Sequence, residues 1–137
     1  MIYFFILATI LVYLIGERIF HERRLRRIPI RIHVNGTRGK SSVTRLIAAA
    51  LQKNGIRTLA KTTGTKAVWI LPDGREEMIR RRGPARIQEQ MHMVQKAEAL
   101  KARAIVVECM ALDPFLQEVS EARMIQSTVG VITNVGP

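Results

Sequence analysis

The first sixteen positions carry no charge and are almost all apolar, and only after them does the chain begin to alternate. Ile30, Ile32 and Val34 alternate with Arg31 and His33, a period of two that predicts a strand. Val43, Leu46, Ile47, Ala50 and Leu51 then share one helical face, and Asn54-Gly55 supplies a stop. Arg57 to Ala60 predicts a second short strand. Ala67 to Leu71 and Arg75 to Arg81, joined by Pro72-Asp73-Gly74, predict a hairpin. Gly83-Pro84 breaks the chain ahead of a helix that turns Ile87, Met91 and Val94 inward. Ala104 to Val107 is an apolar run of the kind covered on both faces of a sheet, and it delivers Glu108 at its carboxyl end. Asp113-Pro114 opens a short helix to about Ala122, and Thr128 to Thr133 is a last strand. Strands alternating with helices give an α/β fold, a mostly parallel sheet with flanking helices.

The leading run changes this picture. Sixteen helical residues rise about 24 Å, and Ile19 and Phe20 extend the span to about 20 residues if Glu17 and Arg18 snorkel at the interface. A cleaved signal peptide would want a basic start and a small-residue cleavage site, and neither is evident; a buried core helix fits poorly at an extreme N-terminus ahead of a basic run. A single membrane anchor is the better reading. Arg18, Arg23, Arg24, Arg26, Arg27 and Arg31 follow the run against only Glu17 and Glu22, so the N-terminus is expected outside and the rest in the cytoplasm, with the arginines within reach of anionic headgroups. The organisation expected is an anchor at 1–20, a basic juxtamembrane segment at 21–29 and a nucleotide-binding domain from 30 to 137. The net charge of +11 does not favour nucleic acid, because the basic residues gather beside the anchor and at Arg80 to Arg82 with few aromatics between them. Cys109 is the only cysteine, which excludes an internal disulfide and suits a small core residue. His21, His33 and His92 stand apart from it and from one another, with no metal-ligand spacing.

Between the strand and the helix lies Asn35-Gly36-Thr37-Arg38-Gly39-Lys40-Ser41-Ser42. Strand, glycine turn and helix in that order is the context of a phosphate-binding loop. A triphosphate needs many short N–H donors, and backbone amides approach it only where no side chain intervenes, hence Gly36 and Gly39. Lys40 can reach the β and γ phosphates, and the Ser41 hydroxyl can hold Mg²⁺. The spacing is shorter than the common template, which would place glycine where Val34 stands; an ordinary strand-to-helix turn with a stray lysine is the bland alternative. Lys61-Thr62-Thr63-Gly64-Thr65-Lys66 reads as a polar loop, either near the phosphates or simply solvated. Glu108 emerges where a parallel sheet gathers its ligands and could reach the nucleotide's Mg²⁺, and Asn134 emerges on the same edge.

These residues resemble the Mur ligase superfamily, in which His33 to Ser42 matches the shortened nucleotide loop. The branch formed by the ligase subunits of poly-γ-glutamate synthases is similar in more places: an N-terminal membrane segment, a basic stretch, this loop, Lys61 to Thr65, and Glu108 to Ala111. The resemblance implies an ATP- and Mg²⁺-dependent amide ligase with Lys40 as the catalytic charge. ATP would be held by Asn35 to Ser42, Thr63, Thr65 and Asn134, and Mg²⁺ by Ser41 and Glu108. It implies glutamate and a polyglutamate chain as substrates, other membrane subunits of a polymer-export complex as partners, and a single-pass position in the cell membrane. In the superfamily an Asp-His pair soon follows the stretch seen at Asn134-Val135. Its absence before Pro137 implies an N-terminal part of a longer enzyme that does not complete the reaction alone. The rival expectations are a membrane-tethered ATPase or kinase, a Mur-type ligase akin to folylpolyglutamate synthetase, and a non-enzymatic basic binding module.

Overall fold

The computed structural model describes residues 1–64, 66–80, 83, 86, 88–110 and 113–136. Thr65, Arg81, Arg82, Pro84, Ile87, Ala111 and Pro137, named above, lie outside the described residues. Six strands form one sheet: β1 (Ile30–Asn35), β2 (Thr58–Thr62), β3 (Val68–Ile70), β4 (Glu76–Met78), β5 (Ala104–Glu108) and β6 (Val129–Ile132), in the order β4-β3-β2-β5-β1-β6. The four strands β2, β5, β1 and β6 run parallel, while β3 is antiparallel to β2 and to β4. The hairpin thus forms the antiparallel margin of a parallel sheet, and β4 is shorter than the Arg75 to Arg81 stretch expected for it.

Helix α2 (Lys40–Lys53) covers one face, where Ile32, Val34, Ala48, Ala60, Val68, Ile70 and Val106 make a core. The other face is covered by α1 (Ile2–Arg27), α3 (Glu89–Ala99), α4 (Pro114–Val119) and a π-helical turn, Ser120–Ile125. β5 is buried along its whole length, as a doubly covered central strand must be. The chain leaves β1 toward α2 and leaves β5 toward α4 on the opposite face, so a crevice opens between the carboxyl ends of these two neighbours.

Three expectations are corrected, and one segment gains a structure. The basic segment 21–29 continues the first helix: α1 runs unbroken to Arg27, burying His21 and Leu25 against the domain. There Arg24 and Arg27 pair with Glu98 at 2.8 Å each, and Arg31 donates to the carbonyls of Leu25, Ile28 and Gln126, so these arginines serve the fold. Lys61 does not belong to a polar loop, because β2 extends through Thr62 and leaves Lys61 fully buried, 3.0 Å from Glu89 and over the Trp69 ring. In α3 the buried face is Gln90, Met93, Val94 and Ala97, with Met91 only partly covered. Finally, the helix after Asp113 is α-helical only to Val119 and then widens into the π turn.

Candidate nucleotide site

The glycine loop joins the end of β1 to the start of α2. Gly36 has φ of +133°, and a Cβ there would collide with the Thr133 hydroxyl, so only glycine fits this position. The Asn35 carboxamide turns under the loop, accepting from the Gly36 amide at 2.8 Å and donating to Gln117 at 3.0 Å. The amides of Thr37 and Arg38 both point at the Asn134 side-chain oxygen, 3.1 and 2.9 Å away, and Thr133 donates to the Arg38 carbonyl at 2.6 Å. Asn134 therefore meets the loop directly from the end of β6. It also absorbs two of the amides that a cradle of backbone donors would have offered to phosphate.

The donors left are those at the start of α2. Gly39, left-handed at φ of 79°, is the N-cap and has no side chain to cap with; the first backbone bond of the helix runs from Val43 to Gly39. The N–H groups of Lys40, Ser41 and Ser42 thus have no acceptor four residues back, and they add to the positive end of the helix dipole. The Lys40 ammonium reaches back over the loop to the Gly36 carbonyl at 2.7 Å. The side chain therefore spans the loop mouth and carries its charge where an anion would lie.

Ser41 donates to Glu108 Oε2 at 2.7 Å, and the same oxygen accepts the Thr63 amide at 2.8 Å. Three elements converge here: the first turn of α2, the end of β5 and the loop after β2. Glu108 pairs in register with Val34 and is 3% exposed, yet no lysine or arginine pairs with it among the described residues. A buried carboxylate without a cation is costly. One carboxylate beside one hydroxyl also suits Mg²⁺, which takes few protein ligands alongside phosphate oxygens and water. Among the described residues no group of three or more His, Cys, Asp or Glu side chains could hold a metal unaided. Gly64 presses on this junction, since a Cβ there would stand 2.7 Å from the Ser41 hydroxyl oxygen. The sequence offered Gly64 only as a loop residue; the close approach that requires glycine is visible in three dimensions alone.

A second polar cluster was missed. His33, on the face of β1 away from Ser41, lies 2.8 Å from Glu121 in the π turn, and Glu121 also accepts from the Ser127 amide at 2.6 Å and hydroxyl at 2.7 Å. Burial alone would depress the His33 pKa, but hydrogen bonds to Cys109 and Glu121 raise it to about 9. Burial likewise pushes Glu121 up, and the bonds from His33 and Ser127 outweigh it, bringing the carboxyl to about 2. The histidine that stands alone in sequence is thus paired in the fold, lining a cleft of about 420 Å³ with Asn35, Cys109 and Gln117.

The Mur ligase middle domain, as a family model, matches residues 34–137, and the chain belongs to this family. It is 43% identical over 128 residues to the capsule biosynthesis protein CapB of Bacillus anthracis, covering 92% of this chain and 28% of that protein. It is 41% identical over 130 residues to the PGA synthase CapB of Bacillus subtilis (strain 168), covering 93% of this chain and 33% of that protein. The chain spans about a third or less of the length of these curated relatives.

Proposed function

We propose that this chain is the nucleotide-binding part of an ATP- and Mg²⁺-dependent amide ligase that extends poly-γ-glutamate, anchored in the cell membrane by α1. The observation that carries the reading is the junction of Ser41, Glu108 and Thr63 beside Lys40, in a Mur ligase middle domain similar to capsule and PGA synthase proteins. The anchor reading is supported by α1 being long and apolar enough to cross a membrane, with none of its apolar window buried in the protein.

In this reading the free amides at the start of α2 bind the phosphate chain, and Lys40 moves from the Gly36 carbonyl onto the γ-phosphate. Its charge then offsets the negative charge spread over the phosphoryl oxygens during transfer. Ser41 and Glu108 would hold Mg²⁺, which would supply positive charge against the phosphates during transfer. Thr63 fixes the carboxylate through its amide, and Thr65 is assigned to ATP by the family resemblance alone. Asn134 braces the loop from β6, and Asn35 braces it from below. The γ-carboxylate of a glutamate attacks the γ-phosphorus and releases ADP; the amine of the next glutamate then attacks the acyl carbon and expels phosphate. Glutamate, the growing polymer and further membrane subunits are the partners of this scheme. The cytoplasmic position of the site rests on the excess of arginine after the anchor, including the exposed Arg23 and Arg26.

The experiment is product analysis. Full-length protein supplied with ATP, Mg²⁺ and glutamate is expected to yield γ-amide-linked glutamate with stoichiometric ADP and phosphate. ADP and phosphate without an amide bond would replace the ligase with a tethered ATPase.

A further inference from the structure

We propose that the carboxyl-end edge of the sheet, which carries the nucleotide site, faces the bilayer and lies at the level of the phospholipid headgroups. This rests on the reading of α1 as a membrane anchor and adds the orientation that the anchor imposes.

Helix α1 packs along α3. Arg24 meets Glu98 at 2.8 Å, near the carboxyl end of α3. Seven residues earlier on each helix, Glu17 and Met91 line one cavity, which Arg123 and Met124 of the π turn also line. Matching offsets at two levels mean that α1 and α3 run side by side in the same direction. The direction of α3 is fixed by the sheet. Its first residue, Glu89, pairs with Lys61 near the carboxyl end of β2, and its last turn leads into the start of β5. Followed backward toward Met1, α1 therefore rises past the carboxyl edge and not away from it. The uncharged residues 1–16 begin at about that level and continue for about 24 Å beyond it.

No flexible joint intervenes. The helix is continuous from Ile2 to Arg27, and its lower half is pinned by Leu25 in the core, by His21 against the Met124 carbonyl at 2.8 Å and by the paired arginines. Once the apolar half is in lipid, the loops of that edge come to the headgroups. Those loops expose Arg38 after β1, Lys66 after β2, Arg80 after β4 and Arg86 before α3, cations suited to lipid phosphates. Asp113, at the start of α4, is an acidic member of the same edge, and its carboxylate accepts from the Phe115 and Leu116 amides. The opposite edge is basic too, with Lys53, Arg57, Lys101 and Arg103, so charge does not choose the orientation. The direction of α1 does. A polymer made at such an edge leaves from the membrane side of the enzyme.

The test uses the full-length protein in phosphatidylcholine vesicles, with a fluorophore on Lys66→Cys or Arg86→Cys at one edge and on Lys53→Cys or Lys101→Cys at the other. Cys109, 5% exposed, does not compete for label. A quencher attached to lipid headgroups is expected to dim the first pair several-fold more than the second. Equal or inverted quenching in protein that floats with the vesicles overturns the orientation alone. Protein that fails to float overturns the anchor reading and the orientation with it.

Discussion

The Ser41 hydroxyl donates a 2.7 Å hydrogen bond to the Glu108 carboxylate, joining the first turn of α2 to the end of β5 across 67 positions of sequence. The bond holds a hydroxyl and a buried carboxylate side by side at the mouth of the glycine loop. Glu108→Gln keeps the shape and removes the charge. In the full-length enzyme it is expected to raise the Mg²⁺ concentration for half-maximal activity by tenfold or more, an order set by losing the only carboxylate assigned to the ion. Metal-free nucleotide binding should change far less. An unchanged Mg²⁺ requirement would make Glu108 structural.

Gly64→Ala tests the close approach of the β2 loop. The added methyl would stand 2.7 Å from the Ser41 oxygen, so that oxygen or the loop must shift. Turnover is expected to fall by about tenfold or more, as for a small misplacement of a positioned group. The melting temperature should stay close to wild type, because the residue lies in an exposed loop. A variant with normal turnover would show that the loop does not govern the Ser41 position.

The His33–Glu121 pair sets a pH signature. His33 is raised from 6.5 to about 9, so its contribution is complete below 6.5 and is lost as pH rises through 9. Glu121 is lowered from 4.5 to about 2, so its contribution is complete above 4.5 and is lost as pH falls through 2. Thermal unfolding of wild type and Glu121→Gln should therefore differ most between pH 4.5 and 6.5 and converge toward pH 9. A difference that grows on the alkaline side would refute the pairing.

Lys61 and Glu89 form a pair in which the lysine is fully buried. Glu89→Gln leaves that ammonium inside the protein with less compensation and should cost roughly 3 kcal/mol of stability. Adding Lys61→Met should recover most of it, since an apolar side chain of similar reach can occupy the site. Denaturant unfolding of the two single variants and the double gives the coupling directly. Additive losses would mean that the pair does not act as a unit.

Much of this was legible in the sequence, for physical reasons that differ from place to place. Alternation of Ile30, Ile32 and Val34 is a local signal, as is the apolar run into Glu108, and both strands form as expected in a mostly parallel sheet; that they are direct neighbours is set by the fold alone. The glycine loop was readable because strand, glycine turn and helix follow one another locally, and Gly36 sits where a Cβ would meet Thr133. Lys61 misled because a lysine beside threonines looks solvated, while its burial depends on Glu89 and Trp69, which come from other elements. Arg24 and Arg27 carry a second role that sequence does not show: they pair with Glu98 of α3, which lies more than 70 positions away. Amides that Asn134 occupies, and the meeting of His33 with Glu121, arise from pairs more than 80 positions apart that no local pattern encodes.

In the proposed chemistry a carboxylate is activated as an acyl phosphate at the Lys40 loop. Glutamate labelled with ¹⁸O in its γ-carboxylate, given to the full-length enzyme with ATP and Mg²⁺, tests it most directly. In the proposed chemistry one carboxylate oxygen leaves on the expelled phosphate, so each phosphate released with an amide bond should carry one ¹⁸O. Lys40→Ala should slow its release by about a hundredfold or more, as expected when a transition-state charge contact is removed. Amide bonds formed with unlabelled phosphate, or labelled phosphate released at the wild-type rate without Lys40, would contradict the account.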